Sequence, residues 1–156
     1  MKSMNRLALS ALVVASLSIL PGSASADEDT LFGVRAGYYT EAEGAFVGAE
    51  LLFRVAPSVY FNPNFEYVFV DNVDYFTANA DFHYDFPSHG STFFWAGAGL
   101  ALVRIDPEGR PDGNTDAAAN FLVGIGMSRG PTIPYFQAKV IAKDDTEFSL
   151  GFGLRF

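Results

Sequence analysis

Within the alternating stretches of this 156-residue chain, charged side chains stand singly. Arg35, Glu50, Glu66, Asp81, Lys139 and Arg155 each stand between two apolar residues, and Glu147 directly precedes Phe148. Acids and bases in this set are close to balanced. Such a set suits ion pairs formed away from water, because a buried charge without a partner costs several kcal/mol. His83 lies two residues from Asp81, close enough to share its carboxylate. His89-Gly90-Ser91 has a spacing at which an imidazole could take a serine proton and free the oxygen to attack an ester. Asp112, Asn114 and Asp116 have the alternate spacing of a calcium loop, but Ala117 stands where its glycine belongs and no bidentate Glu follows. Turn chemistry accounts for that segment equally well. With two His and no Cys, neither a His-rich cage nor a thiolate site can be built, and no metal or cofactor is expected.

These residues sit in stretches whose apolar positions alternate, as in strands. The clearest is Glu147 to Phe156, with Phe148, Leu150, Phe152, Leu154 and Phe156 on one face and Glu147, Ser149, Gly151, Gly153 and Arg155 on the other. Leu31 to Thr40 sets Phe32, Val34, Ala36 and Tyr38 against Gly33, Arg35 and Gly37. Ala45 to Val55 sets Val47, Ala49, Leu51 and Phe53 against Gly48, Glu50 and Arg54, with Leu52 breaking the polar face. Val59 to Val70 repeats the division, and Pro63 points to a bulge or an end within it. Asp74 to Phe86, Ala118 to Met127 and Ile133 to Ala142 follow the same rule, whereas Thr92 to Val103 is apolar on both sides and its orientation stays open. Tyr38, Tyr39, Tyr60, Tyr67, Tyr75, Tyr84, Trp95 and Tyr135 lie near strand ends, as interfacial girdles require, although some can equally be packing residues of an interior.

The amino terminus reads differently. Lys2 and Arg6 precede an apolar run from Leu7 to Leu20, then Pro21-Gly22 and the small-residue site Ala24-Ser25-Ala26. This is a secretory signal peptide over residues 1–26, leaving one domain at 27–156. Its loss removes two bases and no acid, taking the formal charge from -8 to -10 and making nucleic acid an unsuitable partner.

Which face points inward is decided by size. The apolar faces carry Phe, Tyr and Leu, while the charged faces interleave glycine, which relieves crowding in a narrow interior. The expected fold is all-β: a closed antiparallel up-and-down transmembrane β-barrel of about eight strands, just wide enough for its side chains to fill. Arg35, Glu50, Glu66, Asp81, His83, Lys139, Glu147 and Arg155 are then the lumen charge network. Connections near 56–58, 87–91 and 129–131 fall at the end holding the termini, and 41–44, 71–74, 104–116 and 143–145 at the other, outer end.

The ending TEFSLGFGLRF resembles the closing strand of bacterial outer-membrane barrels. Together with WAGAGLALV and PYFQAKV, the chain is similar over its mature length to the small OmpA/OmpX-like and opacity-type barrels. The resemblance implies that Leu150, Phe152, Leu154 and Phe156 form the signal read by the barrel-assembly machinery. It also implies an outer-membrane location among membrane lipid and lipopolysaccharide, to which an acidic rim could be bridged by divalent cations. The chain stops at the barrel, unlike OmpA, and its outer loops are shorter than those of opacity adhesins. The expected function is non-enzymatic: a structural or surface-interaction protein with a side-chain-filled lumen. Two alternatives stand beside it. One is a lipid hydrolase using His89 and Ser91, the spacing found in outer-membrane phospholipases and lipid A deacylases, although the tripeptide falls at the periplasmic end and those sites lie in the outer half. The other is a soluble periplasmic ligand-binding barrel of lipocalin type. Oligomeric state is not legible.

Overall fold

The computed structural model describes residues 30–107 and 113–156. The signal-peptide segment and Asp112 of the calcium-like spacing lie outside the described residues. Eight strands follow in order: β1 (Thr30–Tyr39), β2 (Gly44–Ala56), β3 (Val59–Val70), β4 (Val73–Asp85), β5 (Thr92–Pro107), β6 (Asn114–Met127), β7 (Ile133–Ala142) and β8 (Glu147–Arg155). Each pairs antiparallel with its neighbours in sequence, and β1 pairs with β8 to close the barrel. The shortest strand has 9 residues and the longest 16, enough for the ~9–11 that cross hydrocarbon at a tilt.

Alternation along the strands separates two surfaces. Leu100, Phe136 and Leu150 are more than 60% exposed on the outside, and Phe65, Phe82, Phe121 and Phe148 stand beside them. Arg35, Glu50, Glu66, Asp81, Lys139 and Arg155 are all buried inside. The soluble-barrel alternative requires the reverse arrangement.

β5 resolves the orientation that periodicity left open: Trp95, Ala101 and Val103 turn inward, Phe94, Leu100 and Leu102 outward. The deciding factor is space across the ladder. Trp95 pairs with Gly124 of β6, where a Cβ would lie 2.1 Å from the indole. Tyr135 is likewise paired with Gly153, and Phe46 with Gly37. Tyr39, Tyr75, Trp95 and Tyr135 are therefore buried lumen residues, not members of an interfacial girdle, whereas Tyr38 and Tyr84 are exposed outside.

Pro63 does not end β3, although the pairing with β2 lapses between Asn64 and Phe61. The register with β4 runs through it, from Asn62↔Asp81 to Asn64↔Asn79. Proline has no N–H to offer β2, and the Asn62 side-chain amide donates to the Leu51 carbonyl instead, at 2.7 Å. The irregularity in this sheet falls between Arg54 and Ala56, beside the turn. The outer connection expected over 104–116 is shorter, because Arg104↔Thr115 and Ile105↔Asn114 extend the β5–β6 ladder beyond the apolar stretch. Between β3 and β4 the turn places Asn72 at φ 61°, a left-handed conformation asparagine tolerates.

Filling Gly124 with a leucine should destabilise the barrel by about 1–3 kcal/mol, the usual cost of overpacking, while Val123→Leu on the outer face should cost less. Urea unfolding in lipid vesicles, followed through the fluorescence of Trp95, measures both.

Candidate functional site

The lumen is organised around two carboxylates. Glu66 on β3 accepts hydrogen bonds from Lys139 Nζ on β7, 3.0 Å to each oxygen, and from Thr77 Oγ1 on β4 at 3.3 Å. It also takes the Tyr39 hydroxyl and pairs with the Arg35 guanidinium, both from β1. Glu50 on β2 accepts from Arg155 Nε on β8 at 2.8 Å and from Asn62 Nδ2 at 3.0 Å, with Arg35 Nη1 3.6 Å away. Arg35 thus bridges the two acids and donates to Asn64 as well.

Asp81 on β4 joins through amides rather than a cation. Asn64 Nδ2 lies 2.9 Å and Asn120 Nδ2 2.7 Å from its oxygens. Asn120 continues to Asn79 at 2.9 Å, and Asn79 to Thr77 at 2.9 Å. The charges form a core, and these uncharged polar residues tie the core to the wall. Reading only charged residues for chemistry passes over this amide layer, whose one signal is a place on the same alternating faces. All eight strands except β5 place a side chain in the polar cluster; β5 contributes Gly97 and Gly99, paired with His83 and Asp81.

Two residues expected in the network stand outside it. His83 does not share Asp81: its ring stacks on Tyr60 at 5.4 Å, lies 5.6 Å from Trp95, and has Asp85 as nearest carboxylate at 3.3 Å. One further step along β4 moves it out of the ionic layer into the aromatic one. Glu147 sits at the outer end, where its oxygens accept the Glu41 and Ala42 backbone N–H groups at 2.8 and 3.0 Å and fasten the β1–β2 turn to β8.

Apolar layers cap the ionic one at both ends. Toward the outer end lie Tyr39, Phe46, Val68, Tyr75, Val103 and Ile141, closely packed. Toward the other end Trp95, Leu122 and Tyr135 form a second cluster. The Arg155 guanidinium lies 4.3 Å from the Tyr135 ring centre and 5.0 Å from that of Trp95, positions that gain from cation–π attraction.

No hydrogen bond joins His89 to Ser91 among the described residues. Ser91 Oγ accepts a hydrogen bond from Arg129 Nε at 2.9 Å, linking the two turns at the terminal end, and His89 is exposed. In the calcium-like segment, Asp116 accepts from Asn114 at 2.8 Å and Asp106 pairs with Arg104 at 2.7 Å. Leu150, Phe152 and Phe156 point outward and are exposed, with Leu154 half-buried beside them.

No family model matches the chain, and no curated protein matches it in sequence. Solved structures do match in fold. The N-terminal β-barrel domain of OprF from Pseudomonas aeruginosa is 16% identical with a TM-score of 0.64, covering 81% of this chain and 96% of that one. Neisserial surface protein A is also 16% identical, with a TM-score of 0.63 over 81% of this chain and 94% of its own. The outer membrane enzyme PagL is 11% identical, with a TM-score of 0.53 over 81% and 98%. The fold is shared with these small eight-stranded outer-membrane barrels.

Glu66→Gln leaves Arg35 and Lys139 facing each other without their shared acid and should cost about 3–5 kcal/mol, as for a broken buried ion pair. Adding Lys139→Met restores the charge balance, and roughly half that loss should return in the same urea titration.

Proposed function

We propose that this chain is a non-enzymatic outer-membrane protein, its barrel an anchor and its outer turns a surface for contact with lipopolysaccharide or neighbouring molecules. The observation that carries the reading is the inverted polarity: large apolar side chains cover the outside of a closed sheet while the ion pairs lie within. In water that distribution is unfavourable, whereas in hydrocarbon it keeps the charges paired inside and the peptide groups within a closed ladder. Membrane lipid is then the first partner. A depression of about 860 Å³ on the outer face, where Ala36, Ala96 and Ala138 lie between Phe94, Phe136 and Phe152, is a place for acyl chains.

The filled lumen supports a structural role over a conducting one. The outward row of Phe148, Leu150, Phe152, Leu154 and Phe156 supports recognition by the assembly machinery, because it presents one continuous apolar edge to the membrane. A lipid hydrolase is the second reading, favoured by the fold shared with PagL, an outer membrane enzyme. The lack of a hydrogen bond between His89 and Ser91 among the described residues weighs against it.

On fractionation the protein should pellet with outer membranes and change gel mobility on boiling; a soluble periplasmic product overturns the reading. Planar-bilayer recordings should show no large stable conductance, and Ser91→Ala should leave lipid deacylation by membranes carrying the protein unchanged. Replacing Phe156 by Ala should slow assembly in cells, measured as unfolded precursor accumulating after a pulse label, with little effect on the stability of the folded barrel.

A further inference from the structure

The 860 Å³ depression on the outer face is a groove with a direction. One row of its lining follows the ladder across five strands: Phe94 of β5, Ile125 of β6, Phe136 of β7, Phe152 of β8 and Ala36 of β1. Four ladder steps of about 4.8 Å make it roughly 19 Å long. Phe94 is the third residue of β5 and Ile125 the third from the end of β6, both beside the end holding the termini, whereas Ala36 is the seventh of β1. The groove therefore starts low at β5 and climbs toward the middle of the barrel at β1. With strands tilted by about 35–45°, the rise is about 12 Å, inside the half of a ~30 Å hydrocarbon core that one leaflet fills. Length and slope suit an acyl chain from the leaflet at that end.

What stands at the low end selects among lipids. Arg129, two residues beyond the end of β6, is exposed, and among the described residues its guanidinium bonds the neutral Ser91 hydroxyl and pairs with no carboxylate. The Ser128 N–H donates to the Ser91 carbonyl at 2.7 Å, which holds this turn against the foot of β5, three residues before Phe94. Asp85, at the same end, faces His83 at 3.3 Å instead. The turns of the opposite end carry Glu41, Asp144 and Asp145, which repel an anionic headgroup. A phosphate is matched in charge and shape by a guanidinium.

We propose that the groove and Arg129 together hold an anionic phospholipid of the periplasmic leaflet, with one acyl chain along the groove and the phosphate on the guanidinium. Such a site rests on the anchoring role given above, and it adds a choice among lipids that anchoring does not need.

Trp95 is the single tryptophan of the chain and lies behind Gly124 on the groove floor, so a brominated acyl chain seated there quenches its fluorescence. The test uses the full barrel in vesicles that mix phosphatidylglycerol and phosphatidylcholine, with one or the other brominated, and reads their relative affinities from the quenching. Phosphatidylglycerol should be preferred about fivefold at low salt over phosphatidylcholine, whose choline cancels the phosphate charge, and the preference should shrink as salt is raised. Arg129→Gln should abolish the preference and Arg129→Lys should keep most of it. Ala138→Phe, in the row beside Phe136 and Phe152, fills the groove without touching the charge. It should bring phosphatidylglycerol down to the level of phosphatidylcholine while the boiling-dependent gel shift shows the barrel intact. If Ala138→Phe does not assemble, the two Arg129 variants, on an exposed turn, decide the matter. Equal affinity of the two lipids, or a preference that survives Arg129→Gln or Ala138→Phe, would overturn the site and leave the anchor standing. Absence of quenching by either lipid would remove both.

Discussion

A sheet surrounded by hydrocarbon has no water to satisfy its outer strands, so its first and last strands must find each other. Here they do so along a ladder from Gly33↔Arg155 to Tyr39↔Ser149, extended by reciprocal bonds between Phe32 and Phe156 of 3.2 and 2.8 Å. Every other feature follows from this closure. Eight strands make a narrow cylinder, a narrow cylinder is filled by its own side chains, and what fills it must be satisfied without solvent.

That condition explains the arrangement of the lumen. Two acids shared by three bases neutralise most of the buried charge, and asparagines carry the remaining carboxylate of Asp81 into the wall. Room for these groups comes from glycine across the ladder: Glu50 faces Gly33, Glu66 faces Gly48 and Asp81 faces Gly99. Large aromatics are accommodated by the same device, so charged and aromatic layers stack along one axis without widening the barrel.

A lumen filled in this way leaves the two ends of the barrel as its distinct polar surfaces. At the end holding the termini, Ser91 and Arg129 join two turns into a closed edge. At the opposite end, Glu147 ties the β1–β2 turn to β8. The two mouths are built from different chemistry although the strands between them share one pattern. Distinct surfaces of this kind are where a common scaffold acquires its individual role.

The sequence by itself determined the strands, their number and which face of most of them is apolar, because side chains alternate with a period of two and a one-residue slip would reverse every one. The alternation from Glu147 to Arg155 was legible, and so was the inward placement of Arg35, Glu50, Glu66, Asp81, Lys139 and Arg155. Only the tertiary structure decided β5, the path of β3 through Pro63, and the removal of His83 and Glu147 from the ionic core. Those outcomes depend on which residue lies opposite on the neighbouring strand: Gly124 beneath Trp95, the Leu51 carbonyl beside Asn62, the β1–β2 turn above Glu147. Pattern along one strand fixes a face, whereas space and hydrogen-bond partners across strands exist only after the barrel has closed.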